Sequence, residues 1–207
     1  MNDDLFSAAV WLVNAIARGL EKRPGAATAE VLRRLSMQDV SRPAFVKPPA
    51  QSLPVTRYFA ETIAEAMLME PDIAAALAAA DGHFNWRQSA SYTDAVLGAG
   101  FSLNYGWFEV IGPRGFFLGD DFLLGFLMLG PNRHYTDHYH PAPELYWPLT
   151  GPTLWKQGAG DFEAKQAGDI IWHAPNANHA TKTADHAMLA VWSWTKDTAT
   201  GARLAEA

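Results

Sequence analysis

The first 90 residues carry apolar side chains at helical spacing. Between Leu5 and Leu20 they recur every three or four positions, which predicts an amphipathic helix. The same pattern predicts three further helices, over 27–37, 57–69 and 71–82. Four prolines interrupt the pattern in 41–54, so this segment is predicted to be a loop, and its length makes it a candidate lid.

From about residue 84 the pattern changes. Short runs of aromatic and β-branched residues alternate with glycine and proline turn signals, which is typical of strands. The predicted strands are 107–111, 122–129, 144–149, 162–166, 169–172 and 187–194. Their number and spacing indicate a sandwich or barrel. The chain is therefore predicted to be mainly β, with a helical N-terminal region (1–90) packed on a β-barrel domain (91–207) as one structural unit.

Composition narrows the partners and the chemistry. The formal net charge is −6 and no run of basic residues occurs, which argues against a nucleic-acid or anionic-membrane partner. The absence of cysteine excludes disulfides and thiolate ligands, so a metal would be held by histidine and carboxylate. The apolar start follows two aspartates rather than a basic region, which predicts a helix instead of a signal peptide. We expect a cytoplasmic protein without membrane spans.

Two stretches carry candidate metal ligands. His138 and His140 lie two positions apart, so in a strand they face the same side. A Pro-Ala-Pro turn follows and returns the chain so that Glu144 joins them. After a second turn, His179 offers one more imidazole. His173 competes with it as fourth ligand, but it is expected to face outward if Trp172 faces the barrel interior. We expect His134, His173 and His186 to be loop or surface histidines.

These residues resemble the two motifs of the cupin superfamily. His138, His140, Glu144 and Gly151 match the first motif, G-x5-H-x-H-x3,4-E-x6-G, although Gly130 lies two residues too far upstream. The second motif is matched by Gly168 and, one residue early, by His179. The resemblance covers roughly 100–195. It implies a single jelly-roll β-barrel that holds one divalent transition-metal ion on the three histidines and Glu144. Zinc, iron(II), manganese and nickel all suit such a set.

Tyrosines lie beside the candidate ligands. Tyr146 follows Glu144 by two residues, so both are expected on the same side of a strand, and Tyr135 precedes His138 by three. A nearby dication favours the phenolate, which makes either tyrosine a candidate general base.

The fuller pattern resembles cupin-type dimethylsulfoniopropionate lyases, most closely the DddQ group. The shared features are the length, the helical N-terminal half, the run H-x-H-x3-E-x-Y and the ending WHAPNANH. The resemblance implies cleavage of dimethylsulfoniopropionate to dimethyl sulfide and acrylate by β-elimination. It implies metal ligands at His138, His140, Glu144 and His179, catalytic or substrate-contacting tyrosines at Tyr135 and Tyr146, and an aromatic pocket residue at Trp194.

The implied substrate is a small zwitterion whose sulfonium cation suits aromatic faces. The candidates for this contact are Tyr139, Trp147, Trp192 and Trp194. Two alternatives stay open at this point. Another metal-dependent cupin enzyme, such as a dioxygenase or a sugar isomerase, shares the ligands but needs no tyrosine base, and a non-catalytic cupin would only bind a small ligand. A homodimer is a further expectation.

Overall fold

The computed structural model describes residues 2–205, and its N-terminal part is helical. The helices are α1 (Asn2–Glu21), α2 (Ala26–Leu35), α3 (Phe59–Ala66), α4 (Pro71–Ala79) and the short α5 (Asp94–Leu97), with 3-10 turns at Arg42–Ala44 and Pro54–Tyr58. The pattern predicted the first four of these helices. Among the described residues, no helix is long and apolar enough to cross a membrane.

Within residues 2–205, ten strands follow the helices. They are β1 (Tyr105–Ile111), β2 (Leu123–Leu129), β3 (His134–Tyr139), β4 (Glu144–Pro148), β5 (Thr153–Gln157), β6 (Glu163–Lys165), β7 (Ile171–His173), β8 (His179–Lys182), β9 (Met188–Trp194) and β10 (Arg203–Leu204). Two five-stranded antiparallel sheets result, in the orders β1-β2-β9-β4-β7 and β10-β3-β8-β5-β6. This jelly-roll arrangement with a helical N-terminal region confirms the predicted fold class.

The first sheet is buried on both faces, which explains why its strands are almost uniformly apolar. Its outer face packs on the helices in one cluster that includes Leu145 and Trp147. Its inner face turns to the second sheet and contributes Tyr146, Trp192 and Trp194 to a separate aromatic cluster. Successive residues of β4 therefore serve two different layers.

Trp147 anchors the helical layer to the sheet. The ring is fully buried. A Cβ at Gly19 of α1 would lie 2.2 Å from it, so only glycine allows this approach. The guanidinium of Arg23 lies 4.4 Å from the ring centroid and donates to Glu70 at 2.6 Å and to the carbonyl of Gly168 at 2.8 Å. Trp147 is thus on the helical side of β4 and does not line the cavity between the sheets, contrary to the expectation that it contacts substrate.

The proline-rich segment 41–54 also lies on the helical side. Phe45 stacks on Phe116 with ring centroids 6.1 Å apart, and Val46 donates its backbone N–H to the carbonyl of Phe116. Gln51 forms a bridge to Asn85. The described residues that line the cavity between the sheets include none from this segment. The position does not suit the lid that its length suggested.

Candidate metal centre and adjoining cavity

Three of the four predicted ligands converge between the sheets. Glu144 begins β4, His179 begins β8 and His140 directly follows β3. The Oε2 atom of Glu144 lies 2.9 Å from Nε2 of His140 and 3.2 Å from Nε2 of His179. One ligand atom from each residue falls within 4.8 Å of the others, and all three side chains are buried. The turn after β3 and the register of β8 therefore bring together residues up to 39 positions apart in the sequence.

Backbone carbonyls set the tautomer of these histidines. Each Nδ1 lies within hydrogen-bond distance of a carbonyl oxygen, which can only accept, so Nδ1 carries the proton. The contacts are His138 to Thr136 at 2.9 Å, His140 to Ala142 at 2.8 Å and His179 to Ala177 at 2.9 Å. In its neutral form each ring would therefore have its lone pair on Nε2, and second contacts of this kind are typical of metal-binding histidines.

This donor set fits a divalent cation. Burial opposes ionisation of Glu144, but the close imidazoles of His140 and His179 hold the pKa of its carboxyl well below the usual range. Nε2 of His179 has no hydrogen-bond partner within the described part of the chain. Imidazole nitrogens and a carboxylate at these distances are ligand types that suit a divalent cation.

His138 lies beside this group rather than in it. Its ring stacks on Tyr135 with centroids 3.9 Å apart and lies 4.0 Å from the ring of His179 but 6.4 Å from that of His140. Burial and the neighbouring His179 lower its pKa well below the usual range. The residue lines the cavity next to the three converging ligands. In this structure His138, which the first motif predicted to be a ligand, is thus a neighbour of the group.

His173 corrects an expectation. It was expected to be a loop or surface histidine, yet its side chain is buried and stacks on His179 with ring centroids 4.0 Å apart. Both ring nitrogens lack a hydrogen-bond partner among the described residues. Trp172 of β7 packs against the helical side of the sheet. Because side chains alternate along a strand, His173 points into the interior, and it pairs with Glu144 of the neighbouring strand. Burial lowers its pKa to about 3.

A cavity of about 250 Å³ opens beside the ligands. Tyr135, Tyr146, Trp192 and Trp194 line it, together with His138, His140 and Glu144. Burial raises the pKa of the Tyr146 phenol well above its ordinary value, and the negative charge of Glu144 adds to this. Burial and two neighbouring tyrosines do the same for Tyr135. Without a cation close by, both phenols therefore stay protonated at neutral pH.

The two tryptophans of β9 have different partners. Nε1 of Trp194 donates to Oε1 of Glu144 at 2.7 Å, and its ring lies 4.3 Å from that of His140. Nε1 of Trp192 has no hydrogen-bond partner in the described part of the chain. The ring of Trp192 meets Trp107 edge to face at 6.1 Å. Trp194 is thus hydrogen-bonded to the carboxylate of Glu144, whereas Trp192 only forms part of the cavity wall.

Tyr139 lies outside the cavity. It neighbours His138 in β3, so alternation turns it to the other face, where it pairs with Arg203 of β10. There it lines a second pocket together with His140, Pro141 and Asn176. This position contradicts the expectation that Tyr139 contacts the same ligand as Trp192.

Several cavity residues were missed by the sequence reasoning. Trp107 and Glu109 come from β1, Arg114 comes from the turn that follows, and the segment 198–202 contributes Thr198, Ala199, Gly201 and Ala202. The sequence did contain a sign of Glu109, because a carboxylate in the apolar strand YGWFEVI is buried only when it is paired. The segment 198–202 left no such sign, since its position depends on contacts with distant residues.

Comparison with known proteins points in one direction. A family model for dimethylsulfoniopropionate (DMSP) lyase matches residues 26–190. DMSP lyase DddQ of Ruegeria pomeroyi is 29% identical over 122 residues, which span 59% of this chain and 60% of that protein.

Solved structures show the same fold. A crystal structure from the DMSP lyases RdDddP and RnDddQII is 24% identical, with a TM-score of 0.76 over 97% of this chain and 98% of that one. Crystalline DddQ from Ruegeria pomeroyi, also 24% identical, has a TM-score of 0.67 over 94% and 95%. The family match extends over most of the chain and includes the three converging residues together with Tyr135 and Tyr146. The chain therefore belongs to the DMSP lyase family.

Proposed function

We propose that this protein cleaves dimethylsulfoniopropionate to dimethyl sulfide and acrylate and that it needs a divalent metal ion for this reaction. The observation that carries the proposal is the cavity in which His140, Glu144 and His179 converge beside the buried phenols of Tyr135 and Tyr146. Family membership supports the reaction class.

His140, Glu144 and His179 would hold the ion, with His138 in reach as a further ligand. When bound, a divalent ion would withdraw charge from the substrate carboxylate and lower the pKa of a nearby phenol. The hydrogen bond from Trp194 keeps the carboxylate of Glu144 oriented. The ring of Trp192, which lines the cavity, offers an apolar, electron-rich face to the sulfonium.

The elimination requires one proton acceptor. A phenolate oxygen of Tyr135 or Tyr146 removes a proton from the carbon next to the substrate carboxylate. The electrons of that C–H bond form the double bond of acrylate, and the C–S electron pair leaves with sulfur as neutral dimethyl sulfide. The proton stays on the tyrosine, so no general acid is needed for the leaving group.

Headspace gas chromatography on metal-reloaded protein tests the reaction. Wild type should release dimethyl sulfide. Tyr135→Phe and Tyr146→Phe remove only the hydroxyl, and loss of the base should lower kcat by about a hundredfold or more. Tyr139→Phe is the matched control, because that hydroxyl lies outside the cavity, and it should keep the wild-type rate. No dimethyl sulfide with zinc, iron or manganese would refute the lyase proposal, and full rates in both Tyr135→Phe and Tyr146→Phe would refute the tyrosine base.

Metal content is measured separately. His140→Ala removes one of the converging nitrogens and should lose bound metal by elemental analysis of the purified protein. His134→Ala is the control, since that exposed residue is no part of the group. Equal metal content in wild type and His140→Ala would contradict the assignment.

A further inference from the structure

We propose that Glu109 and the ring of Trp107 form the cation-binding end of the cavity and that the side chain of Arg114 occupies this end in the free protein. The inference rests on the proposed function, because it assigns the sulfonium of the substrate to that end. Both Glu109 and Arg114 line the cavity.

The register of the first sheet aligns Glu109 with the reaction site. Glu109 of β1 lies opposite Gly125 of β2, Gly125 opposite Trp192 of β9, and Trp192 opposite Tyr146 of β4. Gly125 contributes no side chain to this row, so Glu109 and Trp192 face the same open space. At about 4.8 Å per strand, the row spans roughly 14 Å between the backbones of Glu109 and Tyr146. The carboxylate therefore stands at the end of the cavity away from the metal ligands.

The contacts of Arg114 indicate that this end of the cavity binds a cation. Its Nη1 lies 3.2 Å from Oε1 of Glu109, and its Cζ lies 5.9 Å from the ring centroid of Trp107. A carboxylate and an aromatic face thus already hold a cation here. The Glu109 side chain is 1% exposed, but that of Arg114 is 47% exposed, so the guanidinium can leave towards solvent while the carboxylate stays.

The carboxylate does not depend on that guanidinium for its position. The backbone N–H of Arg114 donates to Oε2 of Glu109 at 2.7 Å, and this contact remains when the side chain swings away. A Cβ at Gly112 would lie 2.5 Å from the same oxygen, so the turn is shaped around the carboxylate. Burial raises the pKa of Glu109, and the contacts with Arg114 counteract this. A second cation in the cavity would likewise favour the ionised form.

A sulfonium is the kind of cation that this end suits. It has no N–H or O–H, so it cannot use hydrogen-bond acceptors as Arg114 does, and it is recognised by net negative charge and by aromatic faces. Glu109 supplies the charge, and Trp107 and Trp192 supply the faces. A neutral group of the same shape gains nothing from the carboxylate and cannot displace the guanidinium.

Two non-cleavable probes isolate this charge. One is the trimethylammonium analogue of the substrate, and the other is its tert-butyl isostere, in which carbon replaces the charged nitrogen. Both keep the carboxylate that faces the metal, so the ratio of their dissociation constants reports the cation end alone. Isothermal titration of the metal-loaded full chain gives both constants. Wild type should bind the cationic probe about tenfold more tightly, which is the size of one partly screened charge contact.

Two substitutions should act in opposite directions. Glu109→Gln should bring the ratio close to one with little change for the neutral probe, and its amide oxygen can still accept the backbone N–H. Arg114→Gln should raise the ratio by about threefold or more, because the competing cation is gone. Asp185→Asn, at an exposed site away from the cavity, controls for net charge and should keep the wild-type ratio.

The outcomes separate this inference from the proposed function. An unchanged ratio in Glu109→Gln, or weaker cation binding in Arg114→Gln, would overturn the inference even if wild type releases dimethyl sulfide. Equal weakening of both probes in Glu109→Gln would assign Glu109 to the turn alone and would overturn it as well. If the ratios move as expected but no dimethyl sulfide is released, the cation end stands and the lyase proposal falls.

Discussion

Replacing Trp194 by phenylalanine removes one hydrogen bond from the carboxylate of the proposed metal site and keeps an aromatic ring in place. Nε1 of Trp194 donates to Oε1 of Glu144 at 2.7 Å, while Oε2 of the same carboxylate faces His140 and His179. The indole thus leaves the second oxygen directed at the position that a metal ion would take. Without it, Glu144 can rotate and its Oε1 atom stays buried without a partner.

The size of the effect follows from the contact. A hydrogen bond to a charged acceptor contributes about 1.5–3 kcal/mol, which corresponds to roughly a ten- to hundredfold change in an equilibrium constant. Loss of a residue that orients a ligand typically weakens metal binding by about the same factor, 10–100-fold. We therefore expect Trp194→Phe to weaken metal affinity by about one to two orders of magnitude.

The assay is competition for zinc or manganese between the metal-free protein and a chromophoric chelator at fixed pH. Trp192→Phe is the matched control, because it makes the same change of shape two residues earlier on the same face, and its Nε1 has no hydrogen-bond partner among the described residues. That variant should bind metal as wild type does. The reasoning fails if Trp194→Phe keeps wild-type affinity, or if both variants lose affinity equally.

Two further predictions concern the helical layer. Gly19→Ala places a Cβ 2.2 Å from the buried ring of Trp147. Overpacking costs about 1–3 kcal/mol and outweighs the roughly 1 kcal/mol gained in helix propensity, so the melting temperature should fall. An unchanged or higher melting temperature would refute this. Arg23→Met leaves the buried carboxylate of Glu70 unpaired and should lower the free energy of unfolding by about 3 kcal/mol in urea. Arg33 forms an exposed ion pair with Glu30, so Arg33→Met should change the free energy of unfolding by less than about 1 kcal/mol. Equal losses in the two variants would contradict the argument.

Local periodicity accounts for the part of the site that was predicted. Spacing by two joins Glu144 to Tyr146 on one face of β4, and both do line the cavity. The same alternation places Trp147 on the opposite face from Glu144 and Tyr146, and Tyr139 on the opposite face from His138. Strand alternation alone therefore excludes Trp147 and Tyr139 as residues of the cavity. His173 could not be assigned in this way, because the alternation of β7 does not say which face the helices cover.

The helical N-terminal region, the jelly-roll class and the converging residues His140, Glu144 and His179 were thus determined by the sequence, through helical spacing, strand alternation and motif resemblance. The division at residue 90 stays a prediction. Only the tertiary structure decided that β1 pairs with β2 and that β2 pairs with β9, which brings Glu109 and Trp107 into the same cavity as Tyr146. Periodicity acts over a few residues and orients each strand, whereas the order of strands depends on contacts between segments far apart in the chain.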